Sequence, residues 1–134
     1  MPFDSQPRAP DRHRAEPVDI WKARKFIEQH LGEPLSLTKV ARAVNINATH
    51  LSEKFKQVTG INFVEYVART RFEKACHLLK DVNPRISEIA FAVGFQSLSQ
   101  FNRVFKRLGG TSPTEFRASR AAGSKRTRAK KLRR

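Results

Sequence analysis

The chain has 134 residues, which gives room for one ordinary domain or two very small ones sharing a core and excludes a large multidomain enzyme. With 27 Lys and Arg against 12 Asp and Glu, its formal charge is +15 and its pI near 11.1, a balance that points to a polyanionic partner, nucleic acid first. No apolar run of membrane length and no secretory core follow Met1, and one cysteine (Cys76) with scattered His13, His30, His50 and His77 forms neither a disulfide nor a zinc pattern; a soluble, cytoplasmic, nucleoid-associated protein without metal or cofactor is expected.

In chain order, residues 1–17 come first, with Pro2, Pro7, Pro10 and Pro17 among charged and polar neighbours. That stretch has too few apolar groups to offset the entropy of ordering and is predicted to be a disordered leader or linker. Ile20, Trp21, Ala23, Phe26, Ile27 and Leu31 then share a helix face, with Asp19 as a possible cap, so a helix is predicted over about 19–31. Pro34 breaks it. Ser36 is a candidate N-cap for a short helix carrying Leu37, Val40, Ala41 and Val44. After Asn45-Ile46-Asn47 the pattern resumes with Leu51, Phe55 and Val58 and stops at Gly60, giving a helix at about 48–58 and a first helix-turn-helix lobe over 18–61.

A connecting helix over 62–82 follows, marked by Phe63, Tyr66, Val67, Phe72, Cys76 and Leu79. Some twenty residues, Asn62 to Asp81, would span roughly 30 Å. One turn of duplex is about 34 Å. After Pro84 the short-helix pattern returns: Ile86, Ile89, Ala90 and Val93 lie 49 residues after Leu37, Val40, Ala41 and Val44. Past the turn the offset becomes 50, pairing Leu51 with Phe101, Phe55 with Phe105, Lys56 with Lys106 and Gly60 with Gly110, as one inserted residue would produce. The second lobe covers 83–119. Residues 120–134 hold eight basic groups and no acid, and are predicted to be a disordered tail attracting phosphate without regard to sequence.

The pattern predicts an all-α fold, two helix-turn-helix subdomains joined by a long central helix. If Leu51, Phe55 and Val58 face inward, Thr49, Ser52, Glu53 and Lys56 face solvent. If Phe101, Val104, Phe105 and Leu108 face inward, Ser99, Gln100, Asn102, Arg103 and Lys106 face out. Asn and Gln match the adenine edge, Arg matches guanine, and Ser and Thr suit bases or phosphates. Ser97 with Gln100 reads as a capping box that starts the second reading helix near 98. Candidate base contacts are therefore Thr49, Ser52, Glu53, Ser99, Gln100, Asn102 and Arg103. Candidate phosphate contacts are Lys56, Lys106, Arg107, Lys125, Arg126 and Arg128. Two readings stay open for Glu53, a cytosine contact or an internal basic partner, and two for His50, a base reader or a partly buried structural group. A single chain with two unlike reading helices would address successive major grooves of an asymmetric site without a symmetric partner.

Ile89-Ala90, Gly94-Phe95, Ser99-Gln100-Phe101-Asn102-Arg103-Val104-Phe105-Lys106, Gly110-Thr111-Ser112-Pro113 and Glu115-Phe116-Arg117 resemble the DNA-binding domain of AraC/XylS-type transcription regulators. A weaker counterpart runs through Leu35-Ser36-Leu37, Val40-Ala41, His50-Leu51-Ser52, Phe55-Lys56 and Gly60. The resemblance spans about Trp21 to Arg117. It implies a seven-helix, two-lobed domain that activates, or less often represses, bacterial transcription by binding promoter DNA and contacting RNA polymerase, with base contacts at the positions named above. Where relatives often carry a basic residue, this chain has Glu53. Most members of that family also carry a sensing and dimerising domain, which sixteen leader residues cannot supply, so the chain is expected to be a short regulator, monomeric on DNA, or the carboxyl-terminal part of a longer protein. No convergent His/Asp/Ser set, Cys/His spacing or phosphate loop supports an enzyme. A basic interaction or RNA-binding module is the rival reading, and would show no preference among duplex sequences.

Overall fold

A computed structural model describes residues 16–120; the earlier leader and the tail from 121, with Lys125, Arg126 and Arg128, lie outside the described residues. Among the described residues there are seven helices and no strand. They are α1 (Val18–Gln29), α2 (Leu37–Ala43), α3 (Ala48–Thr59), α4 (Phe63–Leu78), α5 (Ile86–Ala92), α6 (Leu98–Gly109) and α7 over 113–120. They divide into two compact units. Of the described residues, the first holds 16–30 together with Leu35–Val67, and the second holds Leu31–Pro34 and 68–120.

In the first unit α1 buries Ile20, Ala23 and Ile27, a stripe at three- and four-residue spacing. Trp21, read from the sequence as part of that stripe, is instead 48% exposed, with the Lys25 ammonium 5.7 Å from its ring centre. One residue past Ile20 is a rotation of about 100°, enough to leave the core face. Asp19 lies in the first turn rather than at the cap; the chain enters at Pro17, whose carbonyl accepts from the Ile20 and Trp21 amides. Glu16, which the sequence grouped with the leader, is gripped by Arg24 through two bonds of 2.6 and 2.9 Å. That pairing raises the Arg24 pKa. α1 stops two residues earlier than expected, ahead of Gly32 and Pro34.

Leu51 and Phe55 of α3 are fully buried, and the Phe55 ring meets Tyr66 edge-on at 4.8 Å and Phe63 at 6.0 Å. Val58 does not join them: it is 40% exposed. The core stripe continues at i+4 to Thr59, whose hydroxyl bonds the Phe55 carbonyl at 2.8 Å.

The second unit packs Ala75, Leu79, Ile89, Ala90, Val93, Phe95, Phe101 and Phe105 together, with Phe72 and Phe116 around them. Phe105 takes Phe72, Phe101 and Phe116 at 4.8, 5.6 and 5.5 Å. Offset and edge contacts of this kind add to burial. Val104 and Leu108 face inward only in part.

α4 is shorter than the expected twenty residues: 16, about 24 Å along its axis. Asn62 caps its start by accepting the Glu65 amide at 2.8 Å. Its end tightens as Lys80 and Asp81 bond back three residues to His77 and Leu78, and the Asp81 side chain accepts the Asn83 amide. Arg117 then donates to the carbonyls of Leu79 and Asp81, the first at 3.4 Å and the second at 2.7 Å. Arg71 does the same for Leu31 and Glu33, at 3.2 and 2.9 Å. In both places a guanidinium supplies the partner for carbonyls of the turn that follows a helix.

Candidate nucleic-acid interface

The two helix-turn-helix turns are built alike. In the first, Asn45 takes the left-handed conformation at φ 65°, the Ile46 amide bonds Ala41, and Asn47 caps α3 by accepting the His50 amide at 3.0 Å. In the second, Gly94 sits at φ 106°, the Phe95 amide bonds Ala90, and Ser97 caps α6 by accepting the Gln100 amide at 3.0 Å. Both helices end on a left-handed glycine, Gly60 and Gly110, whose amides bond Lys56 and Lys106 at 2.8 Å. The inserted residue implied by the change of offset is Gln96. Its amide, which the first turn has no counterpart for, is satisfied by Gln100 Oε1 at 2.9 Å.

That bond gives Gln100 a structural part. The side chain is half-buried and its carbonyl oxygen accepts the Gln96 amide through one of its two lone pairs, leaving the other and the amide nitrogen uncommitted to that cap. The remaining candidates lie as their spacing requires. Thr49, Glu53 and Lys56 are exposed on α3, with Ser52 half-buried beside them; Ser99, Asn102, Arg103, Lys106 and Arg107 are exposed on α6. Within each unit these residues share one face, opposite Leu51 and Phe55 or Phe101 and Phe105.

Among the described residues no cation stands in ion-pair range of Glu53. His50 is exposed, with Nε2 4.0 Å from Asp19 Oδ2, and does not take the partly buried role. An open groove beside the start of α3 is lined by Thr38, Arg42, Asn45 and Asn47. The faces differ in charge: α6 shows Arg103, Lys106 and Arg107 with no acid, whereas α3 shows Glu53 and Lys56 together.

Other charged side chains hold the frame. Burial lowers the pKa of Arg71, which stands at i+4 between buried Val67 and Ala75. That register was a sequence signal for a structural arginine. Ser112 and Glu115 cap α7 reciprocally, at 3.0 and 3.1 Å, and the Ser112 amide holds the Glu115 carboxylate below its usual pKa. Burial raises the Cys76 thiol, away from the reactive thiolate. Among the described residues no group of three His, Cys, Asp or Glu side chains suits a metal, and no helix is long and apolar enough to cross a membrane.

Comparison with known proteins matches this architecture. A family profile described as a helix-turn-helix domain matches residues 40–119. The C-terminal domain of AraT, a response regulator from Geobacillus stearothermophilus, is 34% identical and superposes with a TM-score of 0.76 over 79% of this chain and 88% of that one. A transcriptional regulator from Chromobacterium violaceum, described among AraC-type DNA-binding domain-containing proteins, is 30% identical with a TM-score of 0.72, over 78% and 93% of the two chains. The uncharacterized HTH-type transcriptional regulator YfiF of Bacillus subtilis (strain 168) is 34% identical over 118 residues, 88% of this chain and 37% of YfiF. The chain spans between 13% and 37% of the length of the curated relatives it matches.

Proposed function

Because the chain belongs to the AraC family of helix-turn-helix DNA-binding transcription regulators, we propose that it reads a specific, asymmetric duplex site, with α6 as the principal reader and α3 as the second, each in a major groove. The observation that carries this is the α6 face: Ser99, Asn102 and Arg103 stand exposed on the N-terminal half of a helix whose start is locked by two cap hydrogen bonds. Polar groups held on a rigid backbone lose little freedom on binding. Asn102 matches the N6/N7 edge of adenine and Arg103 the O6/N7 edge of guanine, while Lys106 and Arg107 meet phosphates.

The α3 face works differently. Thr49 and Ser52 suit a base or a phosphate, and Lys56 suits a phosphate. Glu53 has one complementary base feature, the N4 amino group of cytosine, and elsewhere repels the backbone. It therefore contributes discrimination rather than affinity. The unlike faces call for an asymmetric site, and α4, which runs without a break from Phe63 to Leu78, supplies the connection that carries both readers to one duplex as a monomer. The eight basic groups of 120–134, Lys125, Arg126 and Arg128 among them, add attraction to any phosphate backbone. Acting on promoter DNA inside the cell, such a chain regulates transcription, as an activator in contact with RNA polymerase.

Selection from random duplexes with the whole chain tests this. The expected result is an asymmetric site about two helical turns long, at which Arg103→Ala relaxes one position and costs about 1–3 kcal/mol. Recovery of unenriched sequence overturns it.

A further inference from the structure

Leu98 is the first residue of α6 and is 39% exposed. An exposed leucine alone means little; its position gives it meaning. The backbone around it is fixed on both sides, by the Ser97 hydroxyl on the Gln100 amide and by Gln100 Oε1 on the Gln96 amide. Leu98 stands one turn before Asn102, at the i, i+4 spacing that places two side chains on the same stripe. Ser99 follows it, and Asn102 and Arg103 are exposed further along the helix. An isobutyl group thus sits at the leading edge of a hydrogen-bonding face. The first unit has nothing like it, for the corresponding residue is Ala48, and Ser52 stands where the second unit has Asn102.

The major groove offers one apolar feature, the C5 methyl of thymine. We infer that Leu98 contacts a thymine methyl in the element read by α6, and so is a specificity-determining residue that separates thymine from cytosine there. The inference rests on the duplex reading proposed above. Burying a methyl against an isobutyl group removes apolar surface of both from water, and cytosine at that place offers no such surface. With Asn102 on adenine, the element contains adenine and thymine within a step or two of each other.

The test uses the duplex obtained by selection, the element read by α6 being the one that Arg103→Ala relaxes. Each thymine in that element is replaced singly by deoxyuridine, which removes only the methyl. One replacement is expected to weaken binding by the unaltered chain about fourfold, the worth of one methyl group. The effect disappears in Leu98→Ala and persists in Arg103→Ala. If Leu98→Ala does not fold, Leu98→Gln serves in its place with the same expectation. Deoxyuridine duplexes that all bind like the thymine duplex, or a penalty that survives replacement of Leu98, overturn the inference and leave the duplex reading standing. Failure of the selection to enrich any sequence overturns both.

Discussion

The first and second helix-turn-helix units share a backbone and diverge at its surface. Both turns carry a left-handed residue, both α3 and α6 begin at a polar cap and end on a left-handed glycine, and Leu51 and Phe55 answer Phe101 and Phe105 inside. Outside, Glu53 answers Arg103, Ser52 answers Asn102, Ala48 answers Leu98, and Arg42 answers Phe91, which is 52% exposed. The bracing of the turns differs as well. A Cβ on Gly94 would fall 2.2 Å from the Leu31 carbonyl oxygen and 2.6 Å from Arg71 Nε, whereas Asn45 borders an open groove. The lesson is that a repeat can keep its packing while its two exposed faces come to carry different chemistry.

The largest expected effect separates the two turns. Gly94→Ala meets both a left-handed backbone and a backbone oxygen that cannot move aside, and is expected to cost about 3 kcal/mol or more in equilibrium urea unfolding. Asn45→Ala meets only the left-handed backbone and is expected to cost about 1 kcal/mol. Equal losses would erase the difference in bracing.

The next effect separates the faces. On the selected duplex Arg103→Ala is expected to lose about ten- to a hundredfold in affinity, in line with one lost guanine contact. Glu53→Gln is expected to bind unrelated duplexes about two- to fivefold more tightly at low salt, since a charge opposing phosphate is removed, and to lose its cytosine preference at one position. Titration of both variants on matched and scrambled duplexes distinguishes the two roles. A similar loss of affinity in the two variants would make the units equivalent readers.

Where the units are alike, the variants should be alike. Asn47→Ala and Ser97→Ala each remove one cap and are expected to cost about 1 kcal/mol in thermal unfolding. The smallest effect is confined to α7. Glu115 has a lowered pKa in the fold, so its contribution is present above the ordinary carboxylate range and is lost as the pH falls through the lowered value. Glu115→Gln should flatten the stability profile over that acid window by slightly lowering stability at neutral pH, and should leave the acid end nearly unchanged.

Much of the scaffold was legible because it depends on spacing. The three- and four-residue recurrence of apolar groups found the helices, and the step in offset from 49 to 50 located the extra residue in the second turn, now seen as Gln96. Ser36, Ser97, Gly60 and Gly110 announced helix ends by residue type, and all four serve there. Asn47 carried the same signal at 50 residues before Ser97, yet was read only as an interruption. What depends on distant partners was not legible. Arg71 and Arg117 bond carbonyls 36 to 40 positions away, and no local pattern names those partners. Trp21 and Val58 lie one step off stripes that periodicity places only to within a residue. Gln100 was legible as a cap residue, but the bond it makes to the Gln96 amide depends on the inserted residue and not on the Ser97–Gln100 spacing.

The central claim is that one chain carries two unlike readers to one duplex, and inserting five base pairs between the two elements of the selected site tests it most directly. Half a helical turn moves one element to the far side of the DNA. The account predicts that affinity falls to that of a duplex holding only the element read by α6. Undiminished binding to the lengthened duplex would contradict it.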